Sequence, residues 1–559
     1  MSRGYSRKSR VKITTWIISI CLLLNIWFPS GLQAGDLTNP EKVKVLSVET
    51  LEKDPTDKST SELTRDLASQ PETLNGTIDK TEKAEIQPET PTLELKPTKA
   101  TLIEIKTLAP GIEYNFLTKV LEDLQPVQIH YLKANLNQPW VEVRPVISQP
   151  MIGSLETLTN LSVPYGAIGA VNGSFYYMGG QRSPIDTTII DQQLIVKSSR
   201  SATSLFFMTN NKVSIDQFLP ITTLKLPDKK LSFPIKAINR PGDGIVLYTP
   251  LFEPNTNTES DCMEMVLKKD ARGRLKIREI VSGNAAIPPD GAVISFQGSS
   301  INQAQYFNVG DTVTYAVDYA NKDKIVHLLG NGPLLVKDGR RPVPMENEGL
   351  ESALWKRHPR TAVGLTKKGE IMLVVVEGRQ ENSVGMTFEE LADLMLELGA
   401  DKAMAMDGGG SAEMLVKGQV INHLTDGRER KLSNGIVVIY QIPVYIDDQR
   451  IYFELTDGLP VIENDRVLVP ARKIFETMGI DVAWDEKTST VTAVKGKTTV
   501  KMKIGSNQAT VKGKKVKLDV SPKIIEGRTM IPLRFISQSF RSKVEWKTDT
   551  RSAYITTKR

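Results

Sequence analysis

Ile371-Met-Leu-Val-Val-Val376-Glu377-Gly378-Arg379, then Thr387-Phe-Glu-Glu390, then Ala403-Met-Ala-Met406-Asp407-Gly408-Gly409-Gly410-Ser411: this part of the chain decides the fold. The two apolar runs read as strands. Between them Phe388, Leu391, Leu394, Met395 and Leu398 recur with helical spacing. Thr387 and Glu390 have the pattern of a capping box, and Gly399 supplies the stop. Strand, helix and strand make a βαβ unit, whose two strands run parallel. Residues just past those strands then share one sheet edge, where open α/β sheets usually hold ligands. That edge brings Glu377-Gly378-Arg379 to Asp407 and its three glycines. Consecutive glycines are conformationally costly unless the backbone must turn sharply or admit a close neighbour. A carboxylate at their entrance is therefore a candidate for chemistry. The spacing is not that of a Walker A loop, which ends in Gly-Lys-Ser/Thr.

Outward from this segment, residues 101–444 alternate short apolar runs with Gly, Pro and Asn, as in Val141 to Val146, Ala167 to Val171, Ser204 to Met208 and Val313 to Val317. The expectation is an α+β domain built on mixed sheet. At the N-terminus Arg3, Arg7, Lys8, Arg10 and Lys12 precede the largely apolar run Ile13 to Phe28, and Ala34 offers a cleavage point. The apolar core is short of the about 20 residues of a membrane span. Residues 1–34 thus read as a signal peptide, with an uncleaved anchor as the alternative. Contact with a membrane is expected only through this segment, and the protein is expected to be secreted or associated with a bacterial envelope. Residues 35–100 are rich in Thr, Glu, Lys and Pro, and bury too little apolar surface to offset ordering entropy. They read as a disordered linker. With Cys21 in the leader, Cys262 stands alone and no disulfide is expected. A net charge of +6 over 559 residues gives no sign of a nucleic-acid partner.

Several ordered motifs carry a family resemblance. Asn172-Gly-Ser-Phe175, Gly330-Asn-Gly-Pro-Leu334, His358-Pro-Arg360-Thr-Ala-Val-Gly364, Glu377-Gly-Arg-Gln380, Asp407 to Ser411, and Asp426-Gly-Arg-Glu-Arg430 with Ser433-Asn434 resemble the phosphodiester glycosidase family. The likeness covers roughly residues 100 to 440. Glu377 departs from the aspartate expected there. The resemblance implies hydrolysis of the bond between sugar C1 and a phosphodiester oxygen. Such a substrate needs a carboxylate near C1 and donors for the anion. Asp407 is then the nucleophile or the base, and Glu377 or His358 a proton source, although a phosphate leaves with little protonation. Arg360, Arg379 and Arg428 suit the phosphate by their forked donors. The N–H groups of Gly408, Gly409 and Gly410 could add an anion nest. Ser411 reads as a hydrogen-bond donor rather than a nucleophile, and Asn172 and Asn434 as ligand contacts. Each has a structural alternative. Asp407 could cap its turn, Glu377 could pair with Arg379 or Arg360, and Asn172 could satisfy a turn. No cofactor is evident. Asp407, Glu377 and Asn172 could hold a divalent cation, but no dense acidic loop requires one.

The remainder, residues 445–559, repeats itself. Arg466-Val-Leu-Val-Pro470-Ala-Arg472 returns 62 residues later as Arg528-Thr-Met-Ile-Pro532-Leu-Arg534, and Trp484 returns as Trp546. Two copies suggest one pseudo-symmetric α+β module. It resembles the copper amine oxidase N-terminal-like domain, yet no histidine or cysteine follows His423, so ordinary copper ligation is not available. Lys487 to Leu518 contains many lysines and no acid. This face either binds an anionic wall polymer or other glycan, or is simply solvated. The functional expectation is an exported hydrolase of sugar-1-phosphodiesters in envelope or extracellular glycopolymers. The alternative is a non-catalytic envelope protein that binds anionic glycans during exopolysaccharide or wall assembly.

Overall fold

A tight hairpin sets the register around the decisive segment. Arg360–Leu365 pairs antiparallel with Glu370–Val376, from Arg360 opposite Val376 to Leu365 opposite Ile371, and Gly369 turns the chain at a φ of +80°. The helix Phe388–Glu397 then leads to Lys402–Ala405, which pairs antiparallel with the other side of Arg360–Leu365. The two strands flanking the helix therefore run in the same direction but are not neighbours. The hairpin partner, close in sequence, already occupies the adjacent edge, so the crossover lands one strand further on. The helix start follows its sequence. Glu390 N–H bonds the Thr387 hydroxyl, the Glu390 carboxylate accepts from Thr387 N–H, and Gly399 follows with φ +93°.

In this computed structural model the described residues are 97–148, 151–178, 182–346 and 348–557. The expected signal peptide and all but the last four positions of the expected linker lie outside them. The hairpin belongs to a seven-stranded sheet with the order Thr101–Ala109, Ile112–Val120, Pro126–Asn135, Glu370–Val376, Arg360–Leu365, Lys402–Ala405 and Leu334–Val336. A five-stranded sheet faces it, in the order Gln419–Val420, Met414–Val416, Gly169–Asn172, Asn434–Tyr440 and Val141–Ile147. Leu373, Val375, Met404 and Met406 pack there against Val143, Val171, Met414, Ile436 and Val438. On the opposite side of the seven-stranded sheet, Met372, Val374 and Val376 meet Phe388, Leu391, Leu394 and Met395 of the helix. Ile371 to Val376 is apolar without alternation because both faces of its strand are covered. Losing the Phe388 ring to Ala would cost about 3–5 kcal/mol, enough to loosen the helix from the sheet.

The structure is mostly sheet, broadly mixed α+β. Strands between Ile221 and Asp318 form an eight-stranded sheet with cores of their own, inserted between Lys212–Phe218 and Ile325–Gly330 of a further five-stranded sheet. From Val444 onward another set of buried residues takes over. Arg466–Pro470, the helix Ala471–Thr477 and the hairpin Asp481–Asp485 with Thr490–Lys495 have counterparts in Arg528–Pro532, Leu533–Phe540 and Lys543–Lys547 with Ser552–Thr556. Arg466–Pro470 and Arg528–Pro532 pair antiparallel, with Val469 opposite Ile531. Among the described residues, no helix is long and apolar enough to cross a membrane.

Candidate active site

Three backbone segments meet at one end of the seven-stranded sheet: Glu377 to Arg379, His358 to Arg360, and Asp407 to Ser411. Close main-chain contacts hold them. Met406 N–H bonds Thr361 O at 2.8 Å, Gly409 N–H bonds Pro359 O at 2.8 Å, and Asp407 N–H bonds Gly173 O at 3.0 Å. A Cβ on Gly408 would stand 2.7 Å from Pro359 O, and one on Gly378 would stand 2.8 Å from Pro359 N. Gly409 has φ +60° and lies under Arg379, whose Nη2 is 3.2 Å from the position a Cβ would take. At Gly410 a side chain would collide with the Arg430 guanidinium and the Asp426 carboxylate. The glycines are therefore required mainly by neighbours of this chain.

Asp407 is half-buried, and its Oδ1 accepts Gly408 N–H at 2.8 Å. Burial pushes its carboxyl up to about 6, although the Ser411 hydroxyl, the Arg430 charge and Gly408 N–H pull the other way. Ser411 is buried and accepts from Arg430 Nη1 at 3.3 Å, and Arg430 in turn chelates Asp426 at 2.9 and 2.7 Å. Arg379 is exposed, adopts φ +61°, and donates from Nη2 to His358 Nδ1 at 3.1 Å. This fixes the tautomer: His358 Nε2 carries the proton and donates to Ala353 O at 3.0 Å. A left-handed φ on an arginine is uncommon, and it is the bond to His358 and the approach to Gly409 that locate the guanidinium.

The other expected contacts are turned inward. Glu377 is buried, and its Oε1 meets His130 Nε2 at 2.9 Å and His423 N–H at 2.6 Å, while Oε2 accepts from Gln380 at 3.1 Å. Burial pushes this carboxyl up, but the His130 bond and charge, the His423 N–H and the Gln380 amide outweigh it and hold it below the ordinary glutamate range. Its partners are neither Arg379 nor Arg360. Arg360 is buried and donates to the carbonyls of Met386, Leu354 and Lys356 at 2.8, 2.7 and 2.6 Å, with Cζ 3.9 Å from the centre of the Phe388 ring. Its assignment to a phosphate is corrected: it staples the 354–358 loop to the helix start. Asn172 is likewise internal, donating to Asp407 O at 2.6 Å while Oδ1 accepts from Thr361 Oγ1 at 2.6 Å and Glu413 N–H at 3.1 Å. Asn434 clamps Ser174, accepting from its N–H at 2.8 Å and donating to its Oγ at 2.9 Å. Of the three N–H groups expected to form an anion nest, that of Gly408 bonds the Asp407 carboxylate and that of Gly409 bonds Pro359 O. Arg428 is exposed, whereas Arg430 is the arginine packed on the loop.

Sequence reasoning missed His130, whose Nδ1 also meets the Tyr114 hydroxyl at 3.0 Å. A histidine inside the apolar strand Pro126–Asn135 was the available signal. It also missed Glu413, which is buried and has its carboxyl pushed up to about 9 by desolvation and by the charge and hydrogen bond of Glu429. Of the three donors considered for a divalent cation, Asn172 and Glu377 have their oxygens taken by internal donors. Among the described residues, no group of three or more His, Cys, Asp or Glu is placed to hold a metal.

A half-buried acid, an exposed arginine and a glycine turn thus lie together at one end of the sheet. Residues 266–439 match the phosphodiester glycosidase family, and residues 445–555 match the copper amine oxidase N-terminal domain. A prophage-derived uncharacterised protein of Bacillus subtilis is 35% identical over 102 residues, 18% of this chain and 15% of that protein. The N-acetylglucosamine-1-phosphodiester alpha-N-acetylglucosaminidase of Bos taurus is 29% identical over 107 residues, 18% of this chain and 20% of that protein. The chain thus spans a fifth or less of the length of these two relatives. Two solved structures share the fold. One is a hypothetical protein from Synechocystis, with TM-score 0.53 and 20% identity over 62% of this chain and 69% of that one. The other is a candidate exported protein of Burkholderia pseudomallei, with TM-score 0.52 and 18% identity over 62% of this chain and 98% of that one.

Proposed function

We propose that this chain is an exported glycosidase that cleaves the sugar C1–O bond of sugar-1-phosphodiesters in envelope or extracellular glycopolymers. The observation that carries this reading is the Asp407 carboxyl, with its value raised to about 6, held by a glycine turn beneath the oriented guanidinium of Arg379. Most of Asp407 is ionised at neutral pH, so it attacks C1 or takes a proton from the water that does. Arg379 binds the phosphate, and His358 keeps it in place. As the C1–O bond breaks, the pair stays on the phosphate oxygen, whose growing charge the guanidinium offsets. Such a leaving group needs little protonation, which suits a site whose second carboxylate, Glu377, is engaged by His130 and His423. The reaction as proposed needs no metal.

In this reading residues 1–34 export the chain, residues 35–100 act as a spacer, residues 101–444 are catalytic, and residues 445–559 hold envelope polymer. The 371–406 segment serves as a βαβ crossover, split by one strand, that aligns Glu377 and Asp407. The C-terminal part is a pseudo-symmetric module. The test offers purified protein a sugar-1-phosphodiester and measures free reducing sugar, with Asp407→Asn alongside. Release by the parent and none by the variant supports the assignment. The full engagement of Glu377 favours a second reading, a non-catalytic protein that holds anionic glycans during polymer assembly. Binding of the phosphodiester without turnover in either protein would establish that one instead.

A further inference from the structure

The exposed apolar residues of the C-terminal repeat come in matched pairs. Trp484 and Trp546 are 40% and 38% exposed, and Ile462 and Ile524 are 42% and 51% exposed. Each pair is separated by the repeat length of 62 residues. These side chains line two clefts. One is bounded by Trp546, Val544, Arg534, Arg466, Asp519 and Ile462. The other is bounded by Trp484, Val482, Arg472, Arg528, Asp457 and Ile524, the same six positions in the other copy. Each cleft draws its tryptophan and one arginine from one copy and its second arginine from the partner strand of the other, as the Arg466–Pro470 and Arg528–Pro532 pairing requires. Each tryptophan sits on a hairpin strand opposite a buried residue, Val491 or Ala553, and still leaves more than a third of its surface exposed.

We infer that these two clefts are equivalent binding sites for one extended anionic polysaccharide, with a sugar ring on each tryptophan. A pyranose presents a flat C–H face that packs on indole, while its acidic substituents suit arginine forks. Charge supports an anionic chain. Around Trp484 the cleft holds Arg472, Lys473 and Arg528; Lys473 pairs with Asp457 at 3.3 Å and Arg472 with Glu476 at 3.9 Å, which leaves Arg528 as the surplus cation. Around Trp546 the cations and acids balance, and Asp519 lies 2.9 Å from Arg466 and 3.8 Å from Arg534. Lys517, from the strand Lys514–Lys517 at the edge of the sheet that begins with Asp481–Asp485, borders the Trp546 cleft. The site pair rests on the proposed polymer-holding role of residues 445–559 and does not depend on the catalytic reading of Asp407.

The probe is polygalacturonate, with dextran as its uncharged counterpart, titrated into the whole purified chain while tryptophan fluorescence and binding heat are followed. Polygalacturonate should bind and quench the fluorescence, and dextran should bind at least tenfold more weakly. Trp484→Ala or Trp546→Ala should each weaken binding about tenfold, and the double variant should lose it, because two sites on one chain act through effective concentration. Arg472→Gln with Arg534→Gln, both highly exposed, gives a second variant that should weaken binding while the melting temperature stays within about 2 °C. No binding of polygalacturonate, equal binding of dextran, or an unweakened double tryptophan variant would each overturn the inference. The last result would leave the lysine sheet as the binding face.

Discussion

Asp407 and Glu377 follow two strands that run the same way in one sheet, yet their carboxyls are treated oppositely. Burial acts on both and favours the neutral acid in each case. At Glu377 four polar contributions exceed it, and the acid is kept charged and immobile. At Asp407 the donors are fewer and burial prevails, so its carboxyl is pushed up to about 6. Topological position is therefore insufficient to identify a catalytic carboxylate. What decides is how many donors of the protein's own are already aimed at it.

The largest effect should come from Asp407→Asn, with kcat/KM on a sugar-1-phosphodiester falling roughly 10³-fold or more. If Asp407 works as the anion, the activity of the parent rises with pH through about 6. A profile that falls there would assign it as the acid. Its linkage to stability has the opposite sense. With a folded value above the unfolded one, Asp407 favours the folded state at low pH and loses that contribution as pH rises through about 6, so Asp407→Asn should melt higher at pH 7.5 than the parent. Glu377→Ala sharpens the contrast from the other side. Chemical unfolding should show a loss of about 3 kcal/mol, because His130 is left buried without its partner. The Glu377 carboxyl is held below its ordinary value, so its contribution is present above the unfolded value and disappears as pH falls through the lower folded one. A Glu377 variant that keeps its stability but loses all turnover would reverse the roles given to the two acids.

How much of this was legible in the sequence follows from which interactions are local. The helix cap, the glycine stop and the unbroken apolar strand are local patterns, and all were readable. So was the meeting of the 377 and 407 segments, because the crossover dictates it. The strand between them was not, since hairpin closure competes with crossover pairing and only register resolves that. Side-chain direction was the other blind spot. Arg360 and Arg379 are both arginines in promising motifs, yet one faces Phe388 and three carbonyls and the other faces solvent. His130, more than two hundred residues from Glu377, gave no sign in the sequence of its partner.

Smaller perturbations refine the comparison. Arg379→Ala should lower kcat/KM about 30-fold, the equivalent of about 2 kcal/mol for a charged hydrogen bond, with KM carrying most of the change. His358→Ala should follow in the same direction with a smaller effect, because it acts through Arg379. Gly409→Ala should lower stability by about 1 kcal/mol and displace Arg379, reading φ +60° and the 3.2 Å contact together in one melting curve and one KM.

Asn172 and Gly173 have a consequence on a longer timescale. An asparagine followed by glycine is prone to cyclise, because the glycine nitrogen can reach the side-chain carbonyl and expel ammonia. Here that nitrogen is held by Asn434 O at 3.1 Å, while the Asn172 carbonyl is pinned by Thr361 and Glu413. Were deamidation to occur, a carboxylate would replace the amide that donates to Asp407 O at 2.6 Å, and two acceptors would face each other. The clamp that shapes the loop should also slow its ageing.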